Sequence, residues 1–397
     1  MTPYKDESGG TIEPDEVKVL VVDDSALVRQ TVSSILRDLA AVTVVGIASN
    51  GEEAVKQIQK HSPDLITLDV EMPVMNGIET LREMKRLRLK ARAVMLSSLT
   101  STGAQVTLDA LYEGAFDFIA KPTGGILCSR ETLQAALIEK INAFRIYRES
   151  RRVPKPHRGA SERPTLQSVI QRRRVTLLAD DSTGESRQIG LASEPVSPTW
   201  CDVVVIGVST GGPQSLRHVI PKLEADFPIP VLLVQHMPAT YTDTMARRLD
   251  ETSPLSVREA VHGEVVGPGC VLVAPGGRQM KLVRRSGRVT VHLTDDPLEN
   301  GCRPAVDYTL RSIAEVYGGK SLAVIMTGMG KDGLEGCRTL KRLGGVVFSQ
   351  DEESSAVYGM PKAVFEAGLA DRVLPLGKIA PAITRHVHRC RIAPSST

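Results

Sequence analysis

At 397 residues, 42% hydrophobic and 24% charged, the chain has material for about two to three domains with at least one sizeable core. A net charge of +3 is too small to point to nucleic acid, no apolar run is long enough to span a bilayer, and residues 1–16 are polar and acidic, without the apolar centre of a signal peptide. Six cysteines (Cys128, Cys201, Cys270, Cys302, Cys337, Cys390) form no C-x-x-C pair, which argues for reduced thiols in a cytosol and against a zinc ribbon or disulfide scaffold.

Residues 17–22 read as a buried strand ending at Asp23-Asp24, and Val28, Val32, Ile35, Leu36 and Leu39 then mark one face of a helix. A strand over 42–47 leads to Asn50-Gly51 and a second helix. Apolar runs at 65–68, 93–96 and 116–120 end at Asp69, at Ser97 and at Lys121-Pro122. Strands alternating with helices predict a parallel, doubly wound α/β sheet, whose carboxyl edge is where ligands bind. Asp23, Asp24, Asp69, Ser97 and Lys121 therefore converge. Three carboxylates at one edge repel unless a hard cation holds them, and oxygen ligands with open water positions suit Mg²⁺. A lysine and a hydroxyl beside them suit phosphoryl oxygens. The plainer alternative, helix-capping acids with Asp24 as a cap, leaves the whole set unexplained.

On Asp23-Asp24, Asp69-Val-Glu-Met-Pro-Val-Met-Asn-Gly77, Ser97 and Lys121-Pro122, this region resembles a response-regulator receiver domain, a flavodoxin-like fold. The resemblance implies that Asp69 accepts a phosphoryl group from a histidine kinase. It implies that Asp23 and Asp24 hold Mg²⁺ with Asp69, that Ser97 and Lys121 read the phosphoryl group, and that Phe118 is the switch aromatic.

Residues 148–199 differ in kind: Arg151-Arg152, Pro154, Pro156, Pro164, Arg172-Arg-Arg174 and a Ser/Pro-rich end mark a flexible connector. Residues 166–178 could form a short docking helix or strand. The basic residues keep a linker soluble or meet an acidic partner, and without a recognition helix nucleic acid is not expected.

A second alternating region follows. Residues 202–206 read as a buried strand, Gly207, Ser209 and Gly211 fall in a G-x-S-x-G pattern, and Leu216, Val219, Ile220 and Leu223 mark an amphipathic helix. A strand over 229–234 ends at Gln235-His236, and one over 270–274 ends at Pro275-Gly-Gly277. Residues 280–284 and 289–293 flank Ser286-Gly287 as a hairpin. Runs at 321–326 and 345–348 end at Thr327-Gly-Met-Gly-Lys-Asp-Gly333 and at Ser349. Ser209, His236 and Asp332 thus follow strand ends and can meet in one crevice. A histidine can take the proton of a serine hydroxyl at neutral pH, and a carboxylate on its far nitrogen fixes the tautomer. Each residue alone has a plainer reading: a turn serine, a cap or core histidine, a turn acid. His218 and His262 are left as cap or core residues, and His386 and His388 as a solvated tail. The order Ser, His, Asp differs from that of α/β-hydrolases and argues against a lipase-type enzyme.

Gly207-Val-Ser-Thr-Gly-Gly-Pro213, Gln235-His-Met-Pro238, Ala274-Pro-Gly-Gly277, Thr327-Gly-Met-Gly-Lys-Asp-Gly333 and Tyr358-Gly-Met-Pro361 resemble the catalytic domain of the chemotaxis protein-glutamate methylesterase (CheB) family. The resemblance implies a Rossmann-like α/β/α domain with Ser209 as nucleophile, His236 as general base and Asp332 as its orienting acid. It places the Met329 N–H in the oxyanion hole and Thr210 beside the nucleophile. It further implies hydrolysis, without a cofactor, of glutamate γ-methyl esters on cytoplasmic chemoreceptor helices, releasing methanol, and deamidation of glutamine at the same site. It implies contact with the membrane only through the receptors, and an unphosphorylated receiver packed over the Ser209 crevice. The expected organisation is a tail (1–16), receiver (17–147), linker (148–199), catalytic domain (200–390) and tail (391–397). Two features depart from the family pattern: the connector is long and basic, and Gln279 replaces an expected histidine, which would alter substrate contacts. The rival from another class is a receiver-linked scaffold that binds a partner without turning it over.

Overall fold

The computed structural model describes residues 16–121, 130–152 and 200–392. The expectations for Pro122, Cys128, the tail residues 1–15 and 393–397 and the segment 166–178 lie outside the described residues, and the last helix, Leu376–Ile392, runs past the domain boundary expected at residue 390.

The first unit runs β1 (Val17–Val22), α1 (Ala26–Arg37), β2 (Val42–Ala48), α2 (Gly51–His61), β3 (Leu65–Asp69), α3 (Gly77–Arg86), β4 (Arg92–Ser97), α4 (Ser101–Glu113), β5 (Asp117–Ala120) and α5 (Arg130–Arg152). Its five strands lie in the order β2-β1-β3-β4-β5, all parallel. β3 is buried throughout, which is what a strand with both faces covered by helices requires and why its sequence is mostly apolar up to Asp69. Local chemistry sets the helix starts. Ser25, not Asp24, caps α1 by accepting from the Val28 N–H, and Asn76 with Glu79 forms a capping box at α3. α5 continues to Arg152, past the boundary expected at residue 147. The reason is that Arg148 donates to the Glu16 carbonyl and the Asp64 carboxylate, tying this basic stretch to the sheet instead of releasing it into the linker.

The second unit comprises β6 (Val203–Val208), α6 (Gly212–Val219), β7 (Val231–Gln235), α7 (Ala239–Asp250), β8 (Ser256–Glu259), β9 (Cys270–Val273), the β10 (Gln279–Arg285)/β11 (Arg288–Thr294) hairpin, α8 (Val306–Tyr317), β12 (Ser321–Ile325), α9 (Leu334–Arg342), β13 (Val346–Gln350), α10 (Met360–Glu366), β14 (Arg372–Leu374) and α11 (Leu376–Ile392). Seven parallel strands run β14-β13-β12-β6-β7-β9-β8. The hairpin turns at Ser286 and Gly287, with φ of +48° and +78°, the double left-handed turn that matches strand twist. From β6 the chain builds outward first through β7 and later, on the other side, through β12. The β12-β6-β7 region is therefore the switch point of the sheet, where open α/β sheets form their crevice.

The two units pack together. α4 lies on α6 and α7, and one apolar cluster runs from Ala104 and Leu108 of the first unit to Tyr241 and Met245 of the second. Among the described residues no helix is long and apolar enough to cross a membrane, and Cys201, Cys270, Cys302 and Cys337 carry free thiols.

Candidate active site

Ser209 follows β6, His236 follows β7 and Asp332 lies in the loop after β12, so three adjacent strands deliver them to one edge. The Ser209 N–H donates to the Thr327 carbonyl at 2.9 Å. That approach requires Gly328: a Cβ there would lie 2.8 Å from the Ser209 Cβ and 2.4 Å from the Met360 sulfur. Gly211 turns the chain into α6 at φ +77°. Gln235, which the sequence reading left without a role, is buried and donates from Nε2 to the carbonyls of Ser209 (3.0 Å) and His236 (3.4 Å), linking the two turns.

His236 Nε2 lies 2.8 Å from Asp332 Oδ2. Asp332 is 2% exposed and is surrounded by donors. Val306 N–H reaches Oδ2, while Asn300 Nδ2 and the N–H groups of Asp307 and Gly333 reach Oδ1. Burial works against its charge, but His236 and these N–H groups outweigh that and hold the carboxyl below its ordinary range. For His236, burial likewise disfavours the charged ring, yet the hydrogen bond to Asp332 and the nearby Cys302 sulfur raise its pKa above the ordinary histidine value. Among the described residues the N–H groups of Thr210 and Met329 make no backbone–backbone hydrogen bond outside the regular elements, and both lie in the turns after β6 and β12 that also carry Ser209 and Asp332. Such a site can transfer an acyl group: a hydroxyl, a base whose proton position is fixed by an acid, and donors for developing negative charge.

In the first unit the carboxylates of Asp23, Asp24 and Asp69 offer ligand atoms within 4.8 Å of one another. Lys121 Nζ lies 2.8 Å from Asp69 and 3.1 Å from Asp23. Burial pushes the Asp69 carboxyl up to about 6, with Lys121 opposing and the Asp23 charge adding. Asp24 is exposed while Asp23 and Asp69 are buried. Ser97 is buried and its hydroxyl is engaged with α4, accepting from Thr107 at 2.5 Å and donating to the Gly103 carbonyl at 3.2 Å.

The two units meet through side chains next to the triad. Thr210 Oγ1 donates to Asp117 Oδ2 of the first unit at 2.6 Å, and Asp117 is paired with Lys140 at 2.9 Å. Burial disfavours the Lys140 charge, but Asp117 and Glu139 hold it well above the usual lysine range. The Phe118 ring lies 4.4 Å from that of Tyr241, whose hydroxyl donates to the Ser98 carbonyl. Burial raises the Tyr241 phenol against the hydrogen bonds of Ser97 and Thr107. Gln214 Nε2 reaches the carbonyls of Leu111 (2.5 Å) and Ala115 (3.0 Å).

Other expectations change. Gln279 does not face the crevice. It is fully buried, donates to the carbonyls of Pro297 and Cys302, and accepts from the Ala305 N–H; an amide with both ends used internally braces the 297–305 loop. His386 and His388 lie in α11, not in a tail, His386 half-buried against Phe348 and His388 facing Glu224. His218 and His262 are both exposed, so neither is a core residue. Asn300, Cys302, Asp117, Lys140 and Tyr241 escaped the sequence reading. The faint signals were an Asn-Gly turn before Pro304 for the first two and an acid opposite a lysine for Asp117 and Lys140.

Residues 204–383 match the family model for CheB methylesterase, and residues 19–131 match that for the response regulator receiver domain. A Desulfotalea psychrophila protein named protein-glutamate methylesterase/protein-glutamine glutaminase is 42% identical over 377 residues, spanning 94% of this chain and 98% of its own. A Thermotoga maritima protein of the same name is 42% identical over 363 residues, spanning 91% and 96%. Among solved structures, the Thermotoga maritima CheB methylesterase catalytic domain is 49% identical, with a TM-score of 0.47, over 47% of this chain and 99% of that one.

Proposed function

The chain belongs to the CheB methylesterase family, as a protein-glutamate methylesterase with a response-regulator receiver domain, and we propose that Ser209, His236 and Asp332 carry out its reaction. The observation that carries this reading is the 2.8 Å contact of His236 Nε2 with an anionic, fully hydrogen-bonded Asp332 at the strand edge that also bears Ser209. A tautomer donating from Nε2 to Asp332 leaves Nδ1 to take the Ser209 proton. The serine oxygen adds to the ester carbonyl, the oxyanion is met by the N–H groups of Thr210 and Met329, and methanol leaves with the proton from His236. Water then enters by the same route and releases the glutamate carboxylate. A glutamine side chain enters the same cycle with ammonia leaving, in keeping with the second half of the relatives' name. The substrate is the methylated glutamate of a chemoreceptor.

The receiver regulates this site in our reading. Asp69 is the phosphoryl acceptor for a chemotaxis histidine kinase. Asp23, Asp24 and Asp69 would hold Mg²⁺: three carboxylates within 4.8 Å, one of them solvent-facing, suit a hard cation that keeps waters. The bound ion supplies positive charge at the acceptor and phosphoryl oxygens. Lys121 contacts those oxygens, Ser97 leaves Thr107 to join them, and Phe118 shifts against Tyr241. The consequence is loosened docking at Thr210, whose hydroxyl the resting receiver holds through Asp117. The test is methanol release from methylated receptor by the parent and by Ser209→Ala: release by the parent alone supports the assignment, and equal release by both moves the nucleophile elsewhere.

A further inference from the structure

Two buried acids cross-link the starts of α8 and α9. Asp332 lies just before α9, yet its carboxylate accepts the opening N–H groups of α8, from Val306 at 2.6 Å and Asp307 at 3.0 Å. Asp307 lies in the first turn of α8, yet its Oδ1 accepts the Gly336 N–H in the first turn of α9 at 2.7 Å. Each acid caps the other's helix, and the residues at the two cap positions, Ala305 and Gly333, provide no side-chain cap. Negative charge is stabilised at both helix starts. The arrangement nevertheless brings two carboxylates together, and such a pair tends to hold one proton in common.

One side chain separates them. Asn300 Nδ2 donates to Asp332 Oδ1 and to Asp307 Oδ2, both at 2.9 Å. Asn300 itself is exposed and stands at φ +52°, a left-handed conformation that asparagine adopts more readily than other residues with a side chain. Burial pushes the Asp307 carboxyl up to about 6, with Gly336 and Asn300 opposing and Asp332 adding. The other groups facing this cluster are Glu299, itself paired with Arg311, the Cys302 sulfur beside His236 and Cys337 beneath α9.

We propose that Asn300 is a positioning residue of the esterase: by donating to both carboxylates at once, it keeps them from sharing a proton and so holds Asp332 anionic and aimed at His236. The inference rests on the triad reading given above. Without Asn300, a proton held between Asp307 and Asp332 removes the charge that stabilises the imidazolium.

The probe is Asn300→Gly, which fits the left-handed backbone and removes the donor. Its kcat for methanol release falls by about tenfold to a hundredfold with KM little changed. The His236 ring pKa, read by NMR titration without substrate, falls with it. Adding Asp307→Asn removes the second acid and leaves an oxygen for the Gly336 N–H, so Asn300→Gly/Asp307→Asn recovers most of both quantities. Two merely structural losses would add instead. A double variant no better than the single one, or a single variant with parental kcat and parental His236 pKa, overturns the proposal. If the parent releases no methanol, the triad reading fails, while the His236 titration still decides the role of Asn300.

Discussion

Removing the Gln214 amide should open the resting enzyme. This side chain spans the interface, donating 2.5 Å to Leu111 and 3.0 Å to Ala115, and it touches none of the triad. When the domains part, both carbonyls regain water, so each bond is worth its net value of about 0.5–1.5 kcal/mol, not its gross strength. Gln214→Ala therefore weakens docking by roughly 1–3 kcal/mol, or about 5- to 140-fold in the open population at about 1.4 kcal/mol per factor of ten. Basal methanol release rises by that factor, up to the rate of the fully open enzyme. The rate with a small-molecule phosphodonor and Mg²⁺ stays the same, so the activation ratio shrinks. Arg248→Ala, which removes the part-exposed ion pair with Asp109 at 2.9 Å, adds less than about 1 kcal/mol. Initial rates with and without phosphodonor provide the assay. A folded Gln214→Ala/Arg248→Ala enzyme with the parental basal rate would refute gating by this interface.

Asp69→Asn retains basal esterase activity and loses activation by phosphodonor, whereas chelating Mg²⁺ abolishes activation of the parent without stopping methanol release; equal activation of variant and parent would move the phosphoryl site. Cys302→Ala removes a group that raises the His236 pKa. A raised pKa keeps the base protonated, and idle, to higher pH, so the acid limb of the kcat/KM profile moves down toward the ordinary histidine range in the variant. An unmoved limb would show that the sulfur does not act on the ring.

Much of this molecule was readable because its chemistry sits at the ends of apolar runs. A parallel strand covered on both faces must be apolar throughout, so the first polar residue after it marks the carboxyl edge. Asp23, Asp69, Ser97 and Ser209 carry that mark, His236 comes one residue later behind Gln235, and Asp332 follows in its Gly-rich loop. The hairpin was equally plain, since Ser286-Gly287 supplies the left-handed pair its turn needs. Helix boundaries followed weaker signals. Asp24 looked like the cap of α1 until Ser25 took that place, and α5 outran its expected end because Arg148 found Glu16 and Asp64, partners more than eighty positions away in sequence.

What could not be read is the pairing of residues across units. Asp117 looks like any acid in a strand, and only when α4 lies on α6 and α7 does its carboxylate reach Thr210. The same holds for Asn300, an exposed residue of a turn whose amide reaches two acids, one in α8 and one in the loop before α9. Gln279 shows the opposite error: standing where the family resemblance led us to expect a histidine, it suggested altered substrate contacts, and its burial makes it a brace for the loop that carries Asn300 and Cys302. In our reading the strand ends carry the groups that react, while residues that look ordinary in sequence orient Asp332 and hold the crevice covered. Substitutions of Ser209, His236 or Asp332 should abolish methanol release, and those of the receiver's Asp23, Asp69 or Ser97 its activation. Substitutions of the ordinary-looking residues should alter the pH dependence of methanol release or its response to phosphorylation, which is why the decisive measurements on Asn300, Cys302 and Gln214 are titrations and activation ratios and not activity alone.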